Sequence, residues 1–278
     1  MILEVLQVTK TFSLGAERVV ALDDLDLSMA EGDFATVIGS NGAGKTTLLN
    51  VIAGTCRPDR GKVRLAGRDV TSWPAHRRAF FIGRVFQDPL QGTAAHMTIA
   101  ENLALAAKKG RRRLVPLLSA RRRRALTEVV VALGMGLEKR LSEKVAHLSG
   151  GERQALTVLM AVMTKPKLLL LDEHTAALDP ANAEKVLAVT ERLVAEHRIT
   201  TLMVTHRMDQ ALQVGNRLIM MHKGRIVLDL GHEEKRRLGV EDLVELFRRT
   251  GVSDDALLLT SEGDGKMAEK AKKLAHLL

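Results

Sequence analysis

The chain has 278 residues, 46% of them hydrophobic, which is enough for a sizeable core in one large domain or one domain with a subdomain. The single cysteine, Cys56, excludes an intrachain disulfide framework and fits a reducing cytosol. Net charge is +9, yet aromatics are only 3% with no tyrosine, which argues against a single-strand nucleic-acid binder built on base-stacking platforms.

The N-terminus alternates like a strand and lacks the basic and apolar regions of a signal peptide, so none is expected. Leu3 to Val8 predicts a first strand, Thr11 to Gly15 a turn, and Leu25, Leu27 and Met29 a second strand alternating with Asp26 and Ser28. Glu31-Gly32-Asp33 turns the chain into the short apolar run Thr36-Val37-Ile38. Next comes Gly39-Ser40-Asn41-Gly42-Ala43-Gly44-Lys45-Thr46, and a helix is predicted from Lys45 through Thr47 to Ala53. Strand, glycine loop and helix are the context that a phosphate-binding loop, G-x-x-x-x-G-K-[ST], requires. The glycines let the backbone curl and aim its N–H groups at phosphate oxygens, and the helix N-terminus adds donors and partial positive charge. Lys45 supplies a full charge, and the Thr46 hydroxyl can ligate Mg²⁺.

Pro58 to Gly61 predicts a turn, Val63 and Leu65 a strand ending at Gly67, and Ile82 to Phe86 a strand ending at Gln87-Asp88-Pro89. From Thr98 to about Thr164 apolar residues recur at helical spacing, punctuated by Pro116 and Gly134-Met135-Gly136. Strands resume at Leu168 to Leu171, Thr201 to Val204, Arg217 to Met221 and Arg225 to Leu228. A helix from Pro180 to about Glu196, capped by Asp179, lies between the first two. This alternation implies an α/β fold with a mainly parallel sheet, an attached antiparallel β-subdomain and an inserted helical block. No apolar run reaches the roughly 20 residues that span a bilayer. Arg111-Arg112-Arg113 and Arg121 to Arg124 could meet nucleic acid or anionic lipid, although a solvated helix face and loop is the favoured reading. After Thr250 the chain turns loop-like, and Lys266 to Leu278 could form a short basic helix.

Two further stretches carry chemistry. Leu168 to Leu171 runs into Asp172-Glu173, and ligands of open α/β sheets bind at such carboxyl ends. Asp172 would sit near the Mg²⁺ held by Thr46, and Glu173 could orient and polarise an attacking water; alone, the pair could equally be solvated acids. Leu148-Ser149-Gly150-Gly151-Glu152-Arg153-Gln154 is a serine cap and two glycines opening a helix, a second anion-binding terminus.

Leu148 to Gln154 also matches the signature of the ATP-binding cassette (ABC) ATPases, and residues 2–250 resemble that family in the order of their motifs. The resemblance implies a P-loop NTPase core with a helical subdomain over about 90–165 and a tail over 251–278. It implies ATP and Mg²⁺ as ligands. ATP would be held by the loop Gly39, Ser40, Asn41, Gly42, Ala43, Gly44, Lys45, Thr46 and Thr47. Mg²⁺ would be held by Thr46, Gln87 and Asp172. Glu173, the switch histidine His206 and the Q-loop glutamine Gln87 would be catalytic, and Phe12 would stack on adenine with Val20 beside it. A core or turn phenylalanine is the alternative for Phe12. Ser149, Gly150, Gly151 and the D-loop Asp179 would act on the nucleotide of a second copy in a head-to-tail dimer. His174, Ala176 and Phe12 depart from the commonest family residues, and none removes a phosphate, metal or water contact.

The cassette is similar to ATP-binding subunits of bacterial importers, within them to amino-acid and aromatic amino-acid systems. That likeness implies a peripheral place on the cytoplasmic face of the inner membrane, transmembrane permease partners and a solute-binding protein. Export stays open. The alternative is a soluble cassette ATPase acting on nucleic acid or ribosomes; the paired cassettes or long coiled coil expected of such proteins are missing from this sequence, so nucleic acid is not the expected partner. A nonhydrolysing structural module would want Glu173 or His206 missing, and both are present.

Overall fold

The computed structural model describes residues 1–15, 17–108 and 119–249. Arg111 to Arg113, Pro116 and the expected tail helix lie outside the described residues.

A long hairpin opens the chain: β1 (Leu3–Leu14) and β2 (Glu17–Met29) pair antiparallel. Two further strands, β4 (Arg60–Leu65) and β5 (Arg68–Asp69), complete a four-stranded sheet of order β2-β1-β4-β5, the expected antiparallel subdomain. Two of its turns differ from expectation. Thr11 to Ser13 continue β1, opposite Val20, Val19 and Arg18, and Gly15 at φ 63° makes the reversal. This end of the hairpin is exposed, so no buried/polar alternation marks its strands in sequence. Arg60 and Gly61 belong to β4 rather than to a turn. A Cβ on Gly61 would lie 2.3 Å from the Gln7 carbonyl oxygen, so the glycine serves a close strand approach at an irregular register.

The second sheet has six strands in the order β10-β9-β3-β8-β7-β6. They are β3 (Phe34–Gly39), β6 (Ile82–Val85), β7 (Leu168–Asp172), β8 (Thr200–Val204), β9 (Arg217–His222) and β10 (Arg225–Leu230). All neighbours run parallel except β10, which returns antiparallel along β9. Strands β3, β7 and β8 are buried throughout, and their side chains divide by parity. Ala35, Val37, Leu168, Leu170, Leu202 and Val204 join α1 (Lys45–Ala53) and the antiparallel sheet in one apolar cluster. Phe34, Leu169, Leu171 and Met203 join α5 (Gly150–Val162) and α6 (Pro180–His197) in another. Since successive strand side chains point to opposite faces, α1 covers one face of the sheet, and α5 and α6 cover the other.

The short α2 (Ala75–Arg78) delivers a fully buried arginine. Arg78 donates to the carbonyls of Val51 (2.7 Å) and Ile52 (2.9 Å) at the C-terminal end of α1, and to those of Thr71 (3.0 Å) and Trp73 (3.0 Å). A cation on those carbonyls offsets the negative end of the helix that carries the glycine loop. Arg78→Ala is expected to lower unfolding free energy by about 3 kcal/mol or more, because several buried acceptors lose their donor. A denaturant midpoint unchanged from wild type would contradict that role.

The inserted helical block holds α3 (Ile99–Ala107), α4 (Ala120–Val131) and α5. Capping boxes start α3 (Thr98 with Glu101) and α5 (Ser149 with Glu152). Arg121 to Arg124 are exposed on α4, as a solvated face requires, and Arg123 hydrogen-bonds Ser142. Like α2, the helices α7 (Met208–Gln213), α8 (His232–Arg236) and α9 (Val240–Arg249) are not among the elements the sequence predicts. Leu243 and Phe247 of α9 close a third apolar cluster over Ile38, Leu218 and Met220.

Candidate functional site

The glycine loop follows β3 and is pinned from three sides. A Cβ on Gly39 would lie 2.3 Å from the Met221 carbonyl oxygen, and one on Gly44 2.3 Å from that of Ala21. Gly44, at φ 99°, also stands at the N-cap of α1, where neither a side-chain cap nor an acidic first-turn residue competes for the helix's positive end. The Gly224 N–H donates to the Ala43 carbonyl (3.0 Å), and the Asp23 N–H donates to the Gly224 carbonyl (3.1 Å). The loop is thus tied through the β9–β10 turn to the hairpin that carries Phe12. Lys45 is buried and folds back so that Nζ donates to the carbonyls of Gly39 (2.7 Å) and Ser40 (2.9 Å). Thr46 is exposed and Thr47 half-buried in the first turn of α1. Phe12 is 41% exposed with Lys10 Nζ 5.4 Å from its ring centre, on the exposed arm of the β1–β2 hairpin rather than in the core or a turn. Val20 is exposed on the facing strand.

Asp172 ends β7 and is largely buried. Burial, with the neighbouring Glu173 charge, holds its carboxyl above the usual carboxylate range, although the Arg84 guanidinium 3.5 Å away and the Lys45 charge oppose that. Glu173 leaves the strand with φ 44° and its N–H on the Val204 carbonyl (3.0 Å), a left-handed conformation that turns its side chain out of the strand's alternation. Its carboxylate meets His206 Nδ1 at 3.3 Å, and that hydrogen bond holds it below the usual carboxylate range against the effect of burial. His206 itself follows β8, next to β7 in the sheet. The next residue after Glu173, His174, is buried, and burial pushes it to about 4, so it is neutral. Thr190 Oγ1 spends its proton on the Val186 carbonyl (2.8 Å), so the His174 Nε2–H donates to it across 3.3 Å and ties the strand end to α6.

Gln87 is exposed just beyond β6. The Phe86 carbonyl before it accepts from Gln154 Nε2 of α5 (3.1 Å). The signature sits elsewhere. Ser149 Oγ accepts from the Glu152 N–H (3.2 Å), and Glu152 is braced by Arg140 Nη1 at 2.5 Å. Any Cβ on Gly150 would meet Leu178 at 3.2 Å, and one on Gly151 would meet Asn182 at 3.1 Å. Asp179 caps α6 by accepting from the Asn182 N–H (3.1 Å). The start of α5 therefore leans on the start of α6, across the sheet from α1.

Structure thus brings together the glycine loop, Asp172, Glu173 and His206, and separately Ser149, Gly150, Gly151 and Asp179. It adds two residues to which the motifs assigned no role, Arg84 and Gln154. A charged residue inside a buried strand was a signal for the first. Among the described residues no group of three or more His, Cys, Asp or Glu could hold a metal alone. Thr46, Asp172 and Gln87 offer only hard oxygens, a partial set that suits Mg²⁺, which keeps waters and substrate phosphates in its shell.

A parallel sheet with a glycine-rich loop between strand and helix, and acidic residues ending a nearby strand, defines a nucleotide-binding α/β protein of the phosphate-loop class. Residues 22–176 match the family described as ABC transporter, and the chain belongs to that family as an ATPase. It is 44% identical over 227 residues to the tyrosine transport ATP-binding protein of Clostridioides difficile (strain R20291), covering 81% of this chain and 90% of the relative. It is 37% identical over 220 residues to the spermidine/putrescine import ATP-binding protein PotA of Thermobifida fusca (strain YX), covering 79% of this chain but only 54% of that longer relative. The fold also resembles a dimeric post-hydrolysis state of an ATP-binding cassette bound to ADP and Pi. There the TM-score is 0.71 at 29% identity, over 83% of this chain and 98% of the other. Among the described residues no helix is long and apolar enough to cross a membrane.

Proposed function

We propose that this chain is the ATP-hydrolysing subunit of an importer for a small solute, peripheral on the cytoplasmic face of the membrane and acting through separate permease subunits. The observation that carries this reading is the separation of two anion cradles. The glycine loop opens α1 on one face of the central sheet, and Ser149 to Gly151 open α5 on the other. One copy's glycine loop and a second copy's signature would then enclose one ATP, head to tail. The solved cassette dimer bound to ADP and Pi supports this pairing.

Within each site the loop N–H groups and Lys45 would grip the outer phosphates, Lys45 exchanging its two loop carbonyls for phosphate oxygens. When bound, Mg²⁺ on Thr46, Asp172 and Gln87 would supply charge neutralisation at the phosphates. Glu173, kept ionised by His206, would accept a hydrogen bond from the attacking water and align it. His206, oriented by Glu173, would place its other nitrogen toward the γ-phosphate. Phe12, on the hairpin tied to the loop, would offer a face to adenine. Closure around ATP and opening after hydrolysis form a ligand-driven population shift, passed on through Gln87 and the helical block.

The relative named for tyrosine transport makes an aromatic amino acid the proposed cargo class, and a solute-binding protein would complete the system. Affinity purification of the tagged chain from solubilised membranes should co-purify a multi-span protein. Recovery of ribosomal RNA or DNA instead would overturn the transport reading. Disrupting the gene should reduce uptake of labelled tyrosine, and unchanged uptake would remove that cargo.

A further inference from the structure

Strand β6 carries a guanidinium into the base of the site. Arg84 Nη2 donates to Asn50 Oδ1 of α1 at 2.8 Å and stands 3.5 Å from Asp172 Oδ2. Its guanidinium carbon lies 4.6 Å from the ring centre of Phe86. Nε is buried, with no hydrogen-bond partner among the described residues. The same chain shows what a committed ion pair looks like: Arg217 grips both oxygens of Asp229, Nε at 2.7 Å and Nη2 at 2.5 Å. Arg84 and Asp172 are both more buried, yet their closest approach is 3.5 Å.

A loose pair in a buried place is not explained by stability. An ion pair out of water must be close and fully hydrogen-bonded to offset its desolvation. Here the carboxylate faces a neighbouring cation across 3.5 Å rather than in a close bidentate grip, and the cation is held at hand by a ring and a neutral amide. That is the arrangement of a counter-ion that can be exchanged.

We propose that Arg84 is a place-holding counter-ion for Asp172, compensating the carboxylate in the nucleotide-free site and yielding it to the divalent cation that arrives with ATP. The proposal rests on the reading of Asp172 as a metal ligand. Two cations competing for one carboxylate oppose each other, so Arg84 weakens metal binding while it stabilises the empty site. Phe86 and Asn50 keep the displaced guanidinium in place, ready to return when the metal leaves.

The test compares the full-length wild type with Arg84→Met and Arg84→Lys. Mn²⁺ serves as probe, titrated by EPR in the presence of the hydrolysis-resistant ATP analogue AMP-PNP. Arg84→Met should bind Mn²⁺ about threefold or more tighter, since a like charge is gone. Its melting temperature should fall without ligand and recover with Mn²⁺ and AMP-PNP. Arg84→Lys, which keeps the charge, should stay within about twofold of wild-type Mn²⁺ affinity. Unchanged or weaker Mn²⁺ binding by Arg84→Met, or equal melting losses with and without ligand, overturns the proposal. If Arg84→Met does not fold, Arg84→Gln is read by the same criteria. Absence of Mn²⁺ binding by the wild type would instead sink the metal-ligand reading of Asp172, and this inference with it.

Discussion

Glu173→Gln is expected to slow steady-state ATP hydrolysis by at least about 100-fold, the lower end of what a positioned base contributes. ATP should still bind. The change is isosteric and lies outside the glycine loop, so Lys45 and the backbone donors keep their positions. His206 Nδ1 loses a carboxylate but can still meet the amide oxygen of the substituted side chain at a similar distance. What disappears is the ionised oxygen that, on the proposed reading, would draw on the water's proton. With hydrolysis stalled, the closed arrangement around ATP has no route to open, and an ATP-bound dimer should accumulate. Phosphate release and light scattering with and without ATP read the two halves of the prediction separately. Wild-type turnover in the variant would refute the role of Glu173; lost turnover without any ATP-dependent dimer would refute the shared site.

Lys45→Ala should weaken ATP binding by about 100-fold or more, because on the proposed reading the outer phosphates would lose the Lys45 charge and its charge-assisted hydrogen bonds. That charge also donates to the carbonyls of Gly39 and Ser40, at 2.7 Å and 2.9 Å. Alanine should therefore also soften the empty loop and lower the melting temperature modestly. Nucleotide titration separates the effects: wild-type affinity for a fluorescent ATP analogue contradicts the phosphate-loop role whatever the melting temperature does.

Much of the central sheet was legible because buried parallel strands are continuous apolar runs. Thr36 to Ile38, Leu168 to Leu171 and Thr201 to Val204 all form strands. The helix Lys45–Ala53 spans the residues predicted after the glycine loop, and Gly54 at φ 79° caps its end. Around Phe12 the sequence predicts a turn where the structure has a hairpin arm, because the exposed strands there lack alternation. The helices beyond His206 are short, and α9 buries Leu243 and Phe247 only against residues distant in sequence, so their spacing alone carried little signal.

By itself the sequence determined the chemistry on offer: a glycine loop that only small residues can form, a lysine and a threonine beside it, two carboxylates at a strand end, and a capped glycine pair opening another helix. Those follow from local rules of backbone conformation, charge and hydrogen bonding. Which of these groups meet was decided only by tertiary structure. Sheet order sets β7 beside β8, so Glu173 and His206, far apart in sequence, come within 3.3 Å. Side-chain parity on that sheet sends α1 and α5 to opposite faces, so the two anion cradles of one chain are held apart. Arg84 became visible as a partner of Asp172 only once β6 lay alongside β7, because a contact between neighbouring strands depends on register and not on distance along the chain.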